Sequence, residues 1–82
     1  ISAMSPNPVT ETGKFTFELY NQPNTAEIVI YNLIGEEVQR MNLESKIGFV
    51  LINADDFESG LYFYSLLVDG QVAATQKVLI AD

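Results

Sequence analysis

Three observations in this 82-residue chain predict an all-β fold, an immunoglobulin-like antiparallel β-sandwich of about seven strands. Apolar and polar residues alternate with a period of two, and helical periodicity is nearly absent. Turn-forming residues recur at spacings of roughly 8 to 12 positions, the rhythm of short strands packed as two sheets. Near the end, Asp69-Gly70 separates two apolar runs, among the strongest local signals for a hairpin. A small closed barrel is the nearest competing architecture.

Taken in order, the segment SPNPV carries two prolines, which remove backbone donors and favour extended or turn geometry. It suits an edge strand or a lead-in rather than a central strand. In KFTFELY, Phe15, Phe17 and Leu19 share one face and Thr16, Glu18 and Tyr20 the other, as in a half-buried antiparallel strand. NQPNT reads as the following turn. In AEIVIYNLIGEEVQRMNL, Ile28 and Ile30 alternate against Glu27, Val29 and Tyr31 before Gly35 permits a tight hairpin and a return strand. IGFVLINA has apolar residues on both faces, Phe49 and Leu51 against Val50 and Ile52, which predicts cover on both sides. DDFESG then breaks the pattern before the closing pair of strands.

The stretch DDFESGLYFYSL sharpens the sandwich reading. Immunoglobulin-type domains place a tyrosine corner after such an acidic turn, its hydroxyl bonded back to the preceding backbone. Tyr62 takes that role here, with Tyr64, Leu66 and Val68 continuing the inward face. Register is open. A two-residue Asp69-Gly70 loop aligns Tyr62 and Tyr64 with Lys77 and Thr75, whereas a longer loop or a bulge exchanges the inward and outward sets. Leu61, Phe63, Leu67, Leu79 and Ile80 read first as core. A sandwich has one inward face per sheet, however, so some apolar side chains of LYFYSLLV are left accessible and form a contact surface.

Length and composition bound the function. The chain falls below the roughly 100–200 residues of a typical domain, leaving room for a single unit over 1–82. At 48% hydrophobic and 18% charged it is far from the composition of disordered chains. A net charge of −7 repels phosphate backbones and anionic bilayers, which argues against nucleic acid as a partner. No apolar run approaches the ~18 residues of a membrane span, so direct membrane insertion is not expected. The opening ISAMSPNP has neither an initiator Met nor a basic region followed by an apolar one, so the chain reads as excised from a longer precursor.

Catalysis is argued against by inventory: no His and no Cys leaves only carboxylates. Glu36 and Glu37 are adjacent, so on a strand they diverge and cannot share a proton. Asp55, Asp56 and Glu58 cluster where oxygen ligands can hold calcium, but their spacing matches no EF-hand loop, and solvent-facing turn formers are the better reading. No cofactor is expected. Gly35 and Gly48 read as turn glycines, since no helix follows either to hold a phosphate. Ser59 is part of its turn.

Four pieces in this order, SPNP, IYNLIGEEV, SGLYFYSLLVDG and a terminal QKVLI, resemble the C-terminal sorting domain of cargo exported by the type IX secretion system. The likeness spans nearly the whole chain. By position, the family's Pro-Asn-Pro falls on Pro6, Asn7 and Pro8, its Tyr-x-x-x-Gly turn on Tyr31 and Gly35, its Gly-x-Tyr on Gly60 and Tyr62, and its terminal basic-apolar strand on Lys77, Val78, Leu79 and Ile80. The resemblance implies a delivery role without chemistry. An N-terminal passenger travels via the periplasm through the outer membrane to the cell surface or beyond, and a sortase-like peptidase then removes the domain in many members. Export information resides in the last strand, which secretion machinery reads by strand addition or in a groove. Many members finish on a basic residue, whereas this chain finishes on Ala81 and Asp82. Exposed edge strands are also where a second copy can pair. The alternative function is an immunoglobulin-like accessory or carbohydrate-binding module of a secreted enzyme, the sugar reading being lowered by the absence of Trp.

Overall fold

A computed structural model of the protein describes residues 1–20 and 23–81. Asn21 and Gln22, expected in the first turn, and the terminal Asp82 lie outside the described residues. Six strands follow in order: β1 (Thr12–Glu18), β2 (Ala26–Asn32), β3 (Glu37–Asn42), β4 (Ile47–Asn53), β5 (Gly60–Val68) and β6 (Gln71–Ile80), with a 3-10 turn at Ala54–Asp56. β1 and β4 form a two-stranded antiparallel sheet, and the other four form an antiparallel sheet in the order β3-β2-β5-β6. Alternation explains the sandwich. Phe15 and Phe17 of β1 and Val50 and Ile52 of β4 meet Ile28, Ile30, Tyr64, Leu66, Val78 and Ile80 of the larger sheet in one core. The Phe15 and Tyr64 rings lie 4.5 Å apart across it.

The place of a seventh strand is taken by the proline-rich lead-in, which serves both sheets. The Ser2 and Ser5 N–H groups donate to the Thr16 and Lys14 carbonyls at 2.9 Å, and Lys14 N–H returns a bond to Ser5. Four residues on, Val9 bridges β6 in parallel, donating to Leu79 O at 2.8 Å and accepting from Ala81 N–H at 2.9 Å. The Ser5-Pro6 and Asn7-Pro8 peptide bonds are cis. Crossing between sheets brings Met4 and Val9 into the core over Gly13. A β-carbon on Gly13 would stand 2.6 Å from a Val9 methyl and 3.0 Å from the Met4 sulfur, so no larger residue fits there without displacing the lead-in.

The closing hairpin resolves its register by a bulge. Asp69 and Gly70 make a two-residue loop with φ of 51° and 83°, and Val68 pairs with Gln71. An extra residue beside Leu66 and Leu67 then shifts the ladder, so Tyr62 faces Val78 and Tyr64 faces Gln76. Val78 and Ile80 thereby enter the core, and Lys77 and Leu79 turn outward.

Two sequence expectations are corrected. β4 is covered on one side only: Val50 and Ile52 are buried, but Phe49 and Leu51 are more than half exposed. Apolar character on both faces does not create a second layer when the chain has too few strands to supply one. Gly48 lies inside β4, not in a turn, opposite Phe17, whose ring would stand 3.1 Å from an added β-carbon.

Candidate functional site

The Pro6-Asn7-Pro8 segment, Gly60 and Tyr62 converge on β6. Asn7 accepts the Leu79 N–H at its Oδ1 (3.0 Å), so the Pro6-Asn7-Pro8 segment is fastened to the outer edge of the terminal strand. On the inner edge, Gly60 pairs with Ile80 and Tyr62 with Val78. The Tyr62 hydroxyl donates to Glu58 O at 2.7 Å, closing the expected tyrosine corner, and Phe57 packs edge-on against its ring at 5.3 Å. Tyr64 is fully buried, and its hydroxyl donates to Ser2 O at 2.9 Å, tying the lead-in to the core. Burial pushes the Tyr64 phenol up to about 12, opposed in part by the Met4 backbone.

Tyr31 and Gly35 sit two strands away. Tyr31 stacks on Phe63 at 5.8 Å, and Phe63 lies opposite Lys77, so Tyr31 belongs to the same outer face. A hydroxyl chain crosses this face from Tyr31 to Ser65 (2.9 Å) and on to Thr75 (2.8 Å), which satisfies the buried Ser65. Gly35, at φ 88°, closes the β2–β3 turn at the far end and does not touch β6. Asn32, which the sequence reading passed over, holds that turn: its Oδ1 accepts from the Ile34 and Glu36 N–H groups, and its Nδ2 donates to Glu36 Oε1. An Asn at the start of such a loop is a recognisable signal, because its side chain mimics a backbone turn.

The terminal strand is thus divided by pleat. Val78 and Ile80 are core residues, at 1% and 0% exposure, whereas Leu79 is 42% exposed and Lys77 is exposed beside it. Leu61, paired with Leu79, extends this surface, so the outer face presents a cation among Leu61, Phe63 and Leu79. β6 is also a sheet edge. Because Leu79 directs both backbone groups toward the lead-in, alternation directs those of Lys77 and Thr75 the same way, and no partner meets them among the described residues. The open border therefore lies just before the sealed end.

The acidic group behaves otherwise. Asp55 and Asp56 occupy the exposed 3-10 turn, and Glu58 contributes its carbonyl to Tyr62. Among the described residues no cluster of acidic side chains has the arrangement to hold a metal ion. Glu36 bonds Asn32, and Glu37 bonds Arg40, whose guanidinium holds the Glu37 carboxyl below its ordinary value. These are surface contacts worth little to the fold.

A comparison with curated proteins finds no match. A family model described as a secretion system C-terminal sorting domain matches residues 3–81, taking in the lead-in, all six strands and the motif positions that meet at β6. The chain belongs to the family of C-terminal sorting domains of type IX secretion.

Proposed function

We propose that this domain directs an N-terminal passenger via the periplasm and across the outer membrane through the type IX machinery, performing no chemistry of its own, and that the machinery reads the β6 edge. The observation that supports this reading is the division of the terminal strand: Lys77 and Leu79 face solvent beside an unpaired stretch of backbone, while Val78 and Ile80 anchor the strand from within. An incoming strand adds to such an edge through main-chain bonds, and the outward side chains supply selectivity. Lys77 and Leu79 are contacted directly in this scheme, and Val78 and Ile80 act by holding them in place. Once at the surface, a sortase-like peptidase releases the domain.

A reporter protein fused ahead of residues 1–82, supplied with an inner-membrane export signal and expressed in a bacterium with type IX secretion, is expected at the cell surface or in the medium. The same fusion ending at Gln76 is expected to be retained. Surface delivery of the shortened fusion at the full-length level would overturn the proposal.

A further inference from the structure

The four outer borders of the two sheets are not equally protected. β3 carries Glu37 and Arg40, the latter paired to Glu27 and Glu37, and its ladder with β2 is bulged. β6 carries a bulge and Lys77 and is capped at its end by Asn7 and Val9. The outer border of β1 is occupied by Ser2 and Ser5. β4 has none of these devices: Ile47–Asn53 contains no Pro and no charge, and its ladder with β1 is regular. Since Lys14 turns its backbone toward Ser5, the alternation of an antiparallel pair turns the backbone of Ile47, Phe49 and Leu51 away from β1, where no partner meets it among the described residues. The same three residues expose their side chains, at 69%, 57% and 56%.

We propose that β4 pairs antiparallel with β4 of a second copy about a two-fold axis at Phe49, joining the small sheets as β1-β4-β4-β1. Of the registers that set outward backbone against outward backbone, this one alone gives all three apolar side chains apolar partners: Phe49 meets Phe49 and Ile47 meets Leu51 on each side, whereas an axis one residue away sets Ile47 against Asn53 or Leu51 against Ser45. Charge opposes a second copy least along this strand. A chain of net charge −7 repels its copy across most of its surface, but this strand brings no acid to the seam. The ammonium group of Lys14, on the neighbouring strand, lies over the Phe49 ring at 4.6 Å. Three side chains and one strand edge fall short of the roughly 800 Å² per partner of a standard interface, so the dimer is weak and concentration-dependent. This inference stands independently of the export reading.

Sedimentation of the 82-residue chain across a concentration series tests it, together with cysteine cross-linking, which is clean because the chain has no Cys. A reversible dimer is expected, with Phe49→Lys and Leu51→Lys each weakening it at least tenfold and Val72→Lys, at an equally exposed apolar position on β6, leaving it unchanged. Two-fold pairing puts the Phe49 Cα atoms within disulfide reach, so Phe49→Cys is expected to form covalent dimers much faster than Ile47→Cys. A monomer up to millimolar concentration, a dimer indifferent to Phe49→Lys in a variant whose circular dichroism is native, or equal cross-linking at positions 47 and 49 would each overturn the proposal.

Discussion

The two inward tyrosines of β5 show how single hydroxyls fasten this small core. Tyr62 bonds Glu58 O across the turn, a local tie that the Gly-x-Tyr spacing predicts from sequence. Tyr64 bonds Ser2 O, 62 positions away, which no local pattern announces. Replacing Tyr62 with Phe keeps the ring and loses one net hydrogen bond, so a destabilisation of ~1 kcal/mol is expected in urea unfolding. Tyr64→Phe has a further signature. The folded chain holds the neutral phenol, so its raised pKa contributes stability that is complete below the ordinary value near 10 and is lost as pH rises through about 12. Alkaline loss of stability in that window should be shallower in Tyr64→Phe, and an unchanged profile would remove Tyr64 as its source. Gly13 is the other residue whose role only the structure reveals: its lack of a side chain matters because Val9, distant in pairing, passes over it. Gly13→Ala is expected to cost ~1–3 kcal/mol by overpacking, measured by chemical denaturation.

Among the elements, β1, β2, β3 and the closing hairpin were legible because each alternates or carries a recognisable turn. β4 was misjudged on its outer face, since period-two analysis reports which residues are apolar and not whether a further layer exists to cover them. Register in the hairpin was legible only as two alternatives. The loop has the two residues that Asp69-Gly70 calls for, yet the bulge reverses the consequence and brings Val78 and Ile80 inside. The split of β6 predicts its hydrogen exchange. The Val78 and Ile80 amides, bonded to β5, should exchange slowly. Lys77 and Thr75, on the open border, should exchange fast, and Leu79, held by Asn7, should lie between them. Asn7→Ala should accelerate Leu79 alone among these, whereas uniform acceleration along β6 would mean that Asn7 supports the whole strand.

For the whole molecule, the fold leans on the same strand that the proposed function uses. Ile80 is fully buried, and its truncation to Ala is expected to cost ~2–5 kcal/mol from a total that for a small domain is on the order of 5 to 15. Lys77 and Leu79, outside the core, should be replaceable at within about 0.5 kcal/mol. The family motif marks the structural role and the proposed recognition role in sequence as one continuous segment, and only the pleat separates them, because adjacent residues of a strand face opposite ways. Deleting the segment removes core residues and the proposed recognition surface together, whereas changing its outward side chains is expected to leave the sandwich standing. The most direct measurement is therefore surface delivery of a reporter fused to the Lys77→Glu/Leu79→Ser variant, with its unfolding midpoint measured in parallel. The expected result is lost delivery at native stability. Delivery at the full-length level from that variant would contradict reading of the exposed β6 face.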